Sequence, residues 1–148
     1  MKLLTALALF CFLSFPVFAA DDGWLTNFDA AKKIAAKENK IILMEFAGSD
    51  WCSVCMTLEK EVFAQQAFKD YAKDNLVLLL VDFPQEKQLS PADKAANEKL
   101  AEKYEVEGYP TVILVDSKGK VIAKTGYHEG GAAAYVDHIK KLLAKDKK

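Results

Sequence analysis

Two short apolar runs set what this chain can fold into. Ile41–Phe46 is apolar except for Glu45, and Leu76–Val81 is apolar throughout. A strand that faces water on one side alternates; a run without alternation reads as a strand covered on both faces. Between the two runs lie Trp51–Lys60 and Gln65–Lys73, both with helical spacing. Val54, Leu58 and Val62 fall on one face of the first, and Phe63, Phe68 and Tyr71 are available for burial around the second. A strand–helix–strand order implies parallel central strands with helices on both faces, an α/β architecture.

The flanking segments fit such a layered sheet. Asn27–Lys40 reads as an amphipathic helix with Phe28, Ala31, Ile34 and Ala35 on one stripe and lysines opposite. Phe83–Leu89 is a loop. Ser90 then caps a helix with Pro91 at its first position and Asp93 in its first turn. That helix runs to about Tyr104, with Ala95, Leu100 and Ala101 facing inward. Gly108-Tyr109-Pro110 breaks the chain before the strand Thr111–Val115. Asp116–Gly119 turns it into Lys120–Thr125, and this hairpin is expected to add antiparallel edge strands. His128–Gly131 is a loop and Ala132–Leu143 a last helix, followed by a lysine-rich tail.

With 148 residues, the chain is long enough for one domain with a real core. The formal net charge of −1 gives no reason to expect nucleic acid or anionic lipid as a partner. Every basic residue is lysine, which weakens any case for bidentate phosphate or carboxylate recognition. The first residues read as a secretory signal peptide. Met1-Lys2 is followed by the apolar run Leu3–Phe15, with Val17 and Ala19 at −3 and −1 of a cleavage site. The alternative is an uncleaved anchor. Cys11, inside the apolar run, lacks the small neighbours of an acylated cysteine. The expected division is therefore residues 1–19 as leader and 20–148 as the mature domain, in the periplasm or outside the cell.

Cleavage leaves two cysteines, Cys52 and Cys55, in an oxidising compartment. A bridge closing so short a loop adds little stability, which favours a working pair over a staple. Both fall where the first apolar run gives way to a helix. Positions i and i+3 share a helical face, so the sulfurs can meet. The first sits beside unpaired N–H groups and the positive end of the helix dipole, which stabilise a thiolate, the attacking species in disulfide exchange. Cys52 is then the exposed nucleophile and Cys55, one turn deeper, the residue that resolves the mixed disulfide. A closed zinc site would need four ligands, whereas His128 and His138 belong to no compact ligand motif. His128 reads as a loop residue and His138 as a surface or packing residue of the last helix. Met56 could offer a thioether to copper but is expected to pack in the core. No metal and no cofactor beyond the cysteines is expected.

Trp51-Cys52-Ser53-Val54-Cys55 after a buried strand, with Gly108-Tyr109-Pro110-Thr111 before another, resembles the thioredoxin superfamily over nearly all of the mature chain. The Gly48-Ser-Asp-Trp-Cys52 form, with the stretch from Asp82-Phe-Pro to Tyr104, is similar to secreted bacterial thioredoxin-like proteins of the disulfide-reductase type. The resemblance implies a thioredoxin fold with a central mixed β-sheet. It implies a cis Tyr109–Pro110 bond facing the cysteines, the least costly place for a cis peptide, in a turn where a substrate chain can pair as an added strand. It also implies a buried carboxylate, Glu45, whose pKa burial would raise so that it could relay the proton of Cys55. Trp51 would cover the rim of the site, and Tyr109 would line the substrate surface beside it. The implied partners are protein disulfides and a membrane-embedded thiol donor, with the protein itself a monomer.

Ser53-Val54 places no histidine between the cysteines. The reduced form is then less favoured and the pair more reducing, pointing to a reductase ahead of an oxidase or isomerase. From another class, a copper carrier would bind Cu(I) through Cys52 and Cys55 without turning over disulfides. A docking module on the same fold would tolerate their loss.

Overall fold

The computed structural model describes residues 23–145. The expected leader, Cys11 and the end of the lysine-rich tail lie outside them. The elements run α1 (Phe28–Glu38), β1 (Ile41–Ala47), α2 (Ser53–Leu58), a π-helical segment (Glu59–Phe63), α3 (Gln66–Asn75), β2 (Leu76–Asp82), α4 (Pro91–Lys103), β3 (Thr111–Val115), β4 (Val121–Thr125) and α5 (Gly131–Lys145). Among the described residues no helix is long and apolar enough to cross a membrane.

Local chemistry sets the helix ends. Asn27 accepts the Ala30 N–H at 2.9 Å at the start of α1, and Asn39 closes it in the left-handed conformation, φ 54°. Ser90 caps α4 by accepting the Asp93 N–H at 3.1 Å, with Pro91 behind it, as the sequence indicates. After α2 the helix widens, and the π-helical turn sets the neighbours Val62 and Phe63 both against the core.

The sheet order is β2-β1-β3-β4. β1 pairs parallel with β2 and antiparallel with β3, so Glu45 stands between Leu80 and Val112. The sheet is mixed, with helices on both faces. One expectation is corrected: the hairpin does not supply two edge strands. β3 is interior and buried along most of its length, whereas β4 is the half-exposed edge. β2, expected to be central, is the other edge. Its outer side is met at one point by Leu25, which exchanges hydrogen bonds of 2.9 Å with Leu78 and Leu80.

The two-residue period of β1 sorts the core. Leu43 packs toward α2, the π-helical turn, α3 and α5, where Phe63 meets Trp24, Phe68 and Tyr135 with ring centroids 4.8–5.8 Å apart. Ile42, Met44 and Phe46 pack toward α1 and Tyr104 on the other face. Glu45 shares the parity of Leu43 and so points to the side of α2.

Two inward expectations fail, those for Ala95 and Met56. Ala95 is exposed, and the residue that α4 buries is Asn97, whose Nδ2 donates to the Asp82 carbonyl at 2.9 Å. Val54 is 45% and Met56 44% exposed. Both lie in the first turns of α2, ahead of Leu58, which reaches the core.

Candidate active site

Cys52 and Cys55 are joined in a disulfide with Cα atoms 5.3 Å apart. Cys52 is extended (φ −85°, ψ 103°) and caps α2; its sulfur accepts the Cys55 N–H at 3.2 Å, a weak bond to sulfur. Its own N–H donates to the Gly48 carbonyl at 2.8 Å. Cys52 is less open than the sequence suggests, 7% exposed against 3% for Cys55, because Ala47, Leu80 and Tyr109 pack around the pair. The accessible surface beside them is apolar: Trp51, Val54 and Met56 are each more than two-fifths exposed.

Trp51 stands edge-on to Tyr109, centroids 5.8 Å apart, and Phe83 tilts against Tyr109 at 5.2 Å. The Trp51 Nε1–H donates to the Phe83 carbonyl at 2.7 Å. The Tyr109–Pro110 bond is cis. Gly126, at the end of β4, lies close behind this turn: a Cβ there would stand 3.1 Å from the Pro110 carbonyl oxygen.

Glu45 is 4% exposed. With Ser49, Cys55, Met56, Glu59 and Lys60 it lines a cleft of about 410 Å³ that opens beside α2. Burial pushes its carboxyl up to about 8, and the negative charges of Glu59 and then Asp82 add to the shift. Tyr135, fully buried, has its phenol pushed above the ordinary range first by burial and then by Glu45, while its hydroxyl donates to the Gly126 carbonyl at 2.9 Å.

The structure thus brings Cys52, Cys55, Glu45, Trp51 and Tyr109 into one region around the cysteine pair, with Pro110 next to Tyr109. It does not bring the histidines to them. His128 and His138 stack on each other with centroids 4.6 Å apart, and His138 Nε2 lies 2.9 Å from Thr125 Oγ1. Among the described residues no group of three or more His, Cys, Asp or Glu is arranged to hold a metal ion.

Sequence reasoning uses Gly48, Ser49, Asp50 and Asp82 only as carriers of a resemblance and gives none of them a role of its own. The Ser49 N–H and Oγ–H donate to the Asp82 carboxylate at 3.0 and 2.6 Å. The Asp50 carboxylate accepts backbone N–H groups of the loop after β2. A Cβ on Gly48 would fall 2.3 Å from the Trp51 ring, so the indole sits where only glycine leaves room. The run Gly-Ser-Asp, small and turn-forming residues directly before the cysteines, signals a turn but not the partners of Ser49 and Asp50.

A family model described as "Thioredoxin-like domain" matches residues 28–141. The chain is 33% identical over 128 residues to the disulfide bond reductase DsbH of Chlamydia pneumoniae, covering 86% of this chain and 76% of that one. It is 29% identical over 101 residues to the thiol:disulfide interchange protein DsbD of Actinobacillus pleuropneumoniae. That match takes in 66% of this chain but 16% of the much longer relative. Of solved structures, a DsbH oxidoreductase superposes with a TM-score of 0.79 at 32% identity, over 88% of this chain and 90% of that one.

Proposed function

The chain belongs to the thioredoxin-like family and is a thiol–disulfide oxidoreductase whose pair is Cys52 and Cys55, and from that premise we propose that it reduces protein disulfides outside the cytoplasm. The observation that carries this reading is the asymmetry of the pair. Cys52 stands at the start of a helix under an apolar rim, and Cys55 shares a cleft with a buried carboxyl.

In the reduced protein the N–H groups at the start of α2 favour the Cys52 thiolate. It attacks one sulfur of a substrate disulfide; the other leaves as a thiolate and takes a proton from water. The Cys55 thiol then passes its proton to Glu45 in its ionised form, a fraction that grows toward pH 8, and attacks the Cys52 sulfur. The second substrate thiolate leaves and is protonated in turn. Two electrons have moved to the substrate, the Cys52–Cys55 bond has formed, and Glu45 holds a proton that its raised pKa retains near neutrality. The cleft gives that proton a way out. Trp51, Tyr109 and the Pro110 turn receive the substrate chain.

The likeness to a disulfide bond reductase supports this direction, as does the lack of a histidine between the cysteines. Electrons to restore the dithiol come from a thiol donor in the membrane, and the leader delivers the protein to that side. The test is the redox equilibrium against glutathione, read by thiol alkylation. A potential near −270 mV, as in thioredoxin, is the expected result; one near −120 mV, as in the strong oxidants, would reverse the direction.

A further inference from the structure

Three consecutive residues before Cys52 each reach the segment that leaves β2. Ser49 binds the Asp82 carboxylate, and Trp51 binds the Phe83 carbonyl. Between them Asp50 accepts three backbone N–H groups: Gln85 at 2.9 Å on one oxygen, Glu86 at 2.8 Å and Lys87 at 3.0 Å on the other. Among the described residues no other hydrogen bond holds the backbone of Gln85, Glu86 or Lys87. Behind the loop lies no packed core but a cleft of about 340 Å³, lined by Asp82, Phe83, Lys87, Leu89, Lys94 and Asn97 among others. Phe83 at the root of the loop is anchored, its N–H on the Ala47 carbonyl and its ring against the core, but the hydrogen bonds that hold the backbone of Gln85, Glu86 and Lys87 come from the side of the cysteines. Phe83 carries the connection onward, because its ring leans on Tyr109 beside the cis proline.

We propose that Asp50 is a positioning residue for substrate docking: its carboxylate pins the loop 83–89 to the turn that carries Cys52, making that loop a wall of the face that receives a disulfide-bearing polypeptide. The proposal rests on the reductase reading above. Charge-assisted bonds from three converging amides are stronger than neutral ones, and their donation holds the Asp50 carboxyl below the usual carboxylate range. A loop fixed in advance spares the substrate the cost of ordering it. A small disulfide that reaches the sulfurs without spanning the rim gains nothing from the wall.

The test mixes pre-reduced protein with either insulin, a protein disulfide, or oxidised glutathione, a small one, and reads both second-order rate constants. Asp50→Ala is expected to lower the ratio of the insulin to the glutathione constant about ten-fold, the scale of one loop's ordering cost. Asp50→Asn keeps one accepting oxygen and is expected to fall between Ala and wild type. If Asp50→Ala does not fold, Asp50→Asn carries the test through the same ratio. A ratio equal to that of wild type would overturn the proposal, whether both constants fall together or neither moves. Wild-type protein inert toward both disulfides would remove the reductase reading, and the proposal with it.

Discussion

Glu45 and Cys55 line one cleft beside α2, with the carboxyl almost wholly buried and pushed up to about 8. Neither residue is unusual alone. Together they set an acid–base group that titrates near neutrality on the side of the resolving sulfur.

This has a cost in stability with a definite sign. Unfolded, Glu45 ionises near its ordinary value of 4.5; folded, it holds its proton to about pH 8. Below pH 4.5 the group takes nothing from stability. Between 4.5 and 8 the unfolded state gives up its proton first, so the native state loses stability as pH rises, by a few kcal/mol in all. Glu45→Gln is expected to melt above wild type at pH 8 and to converge with it near pH 4. In the proposed mechanism the same variant removes the proton acceptor, so resolution of the mixed disulfide is expected to slow by about 100-fold and to lose its rise toward pH 8. Melting curves at several pH values and single-turnover kinetics check the two effects separately.

In the proposed mechanism, Cys55→Ser keeps the nucleophile and removes the residue that releases the product. It is expected to hold a covalent Cys52–substrate disulfide, visible by mass spectrometry and reversed by dithiothreitol, whereas Cys52→Ser forms none. Equal trapping by both variants would show that the two sulfurs are interchangeable and that α2 imposes no order of attack.

The positions of the cysteine pair and of Glu45 stand out in the sequence because each breaks a local pattern, thiols at a helix start and an acid inside an apolar strand, whereas the cis Pro110 turn is reached only through the family resemblance. The edge order of the sheet was not legible. Thr111–Val115 reads the same whether its strand is interior or marginal, and only its pairing with β1 decides. Met56 is expected in the core because apolar residues on a helix usually face inward, yet the first turns of α2 leave it, like Val54, in the open beside the cysteines. Asp50 was illegible for a different reason. Its partners are backbone amides 35–37 residues further on, and backbone donors leave no mark in a sequence.

Gly48 tests how firmly Trp51 is seated. A methyl group there would meet three atoms of the indole at 2.3–2.6 Å, closer than any packing allows. Trp51 is 42% exposed, so it can swing outward. Gly48→Ala is therefore expected to fold, at a loss of about 1–2 kcal/mol, with the Nε1–H bond to Phe83 broken. In a Trp24→Phe background the remaining indole emission is expected to shift to the red, and denaturant midpoints give the energy. An unshifted emission would mean that the backbone moved in place of the ring.

The stacked histidines offer a last check, away from the cysteines. Burial lowers the pKa of His138 first, and His128, Lys141 and Lys145 lower it further. A positive charge on the His128 ring, 4.6 Å away, opposes protonation of His138. With its folded pKa below the unfolded value of 6.5, His138 contributes stability above that value, and the contribution is lost as pH falls through the lowered pKa. NMR titration of the ring protons is expected to place His138 below 6.5 in wild type and to move it upward in His128→Ala. His138→Gln, which keeps a polar group beside Thr125, is expected to lessen the loss of melting temperature between pH 7 and pH 5. An upward shift absent from His128→Ala would assign the lowered pKa to burial and the two lysines alone.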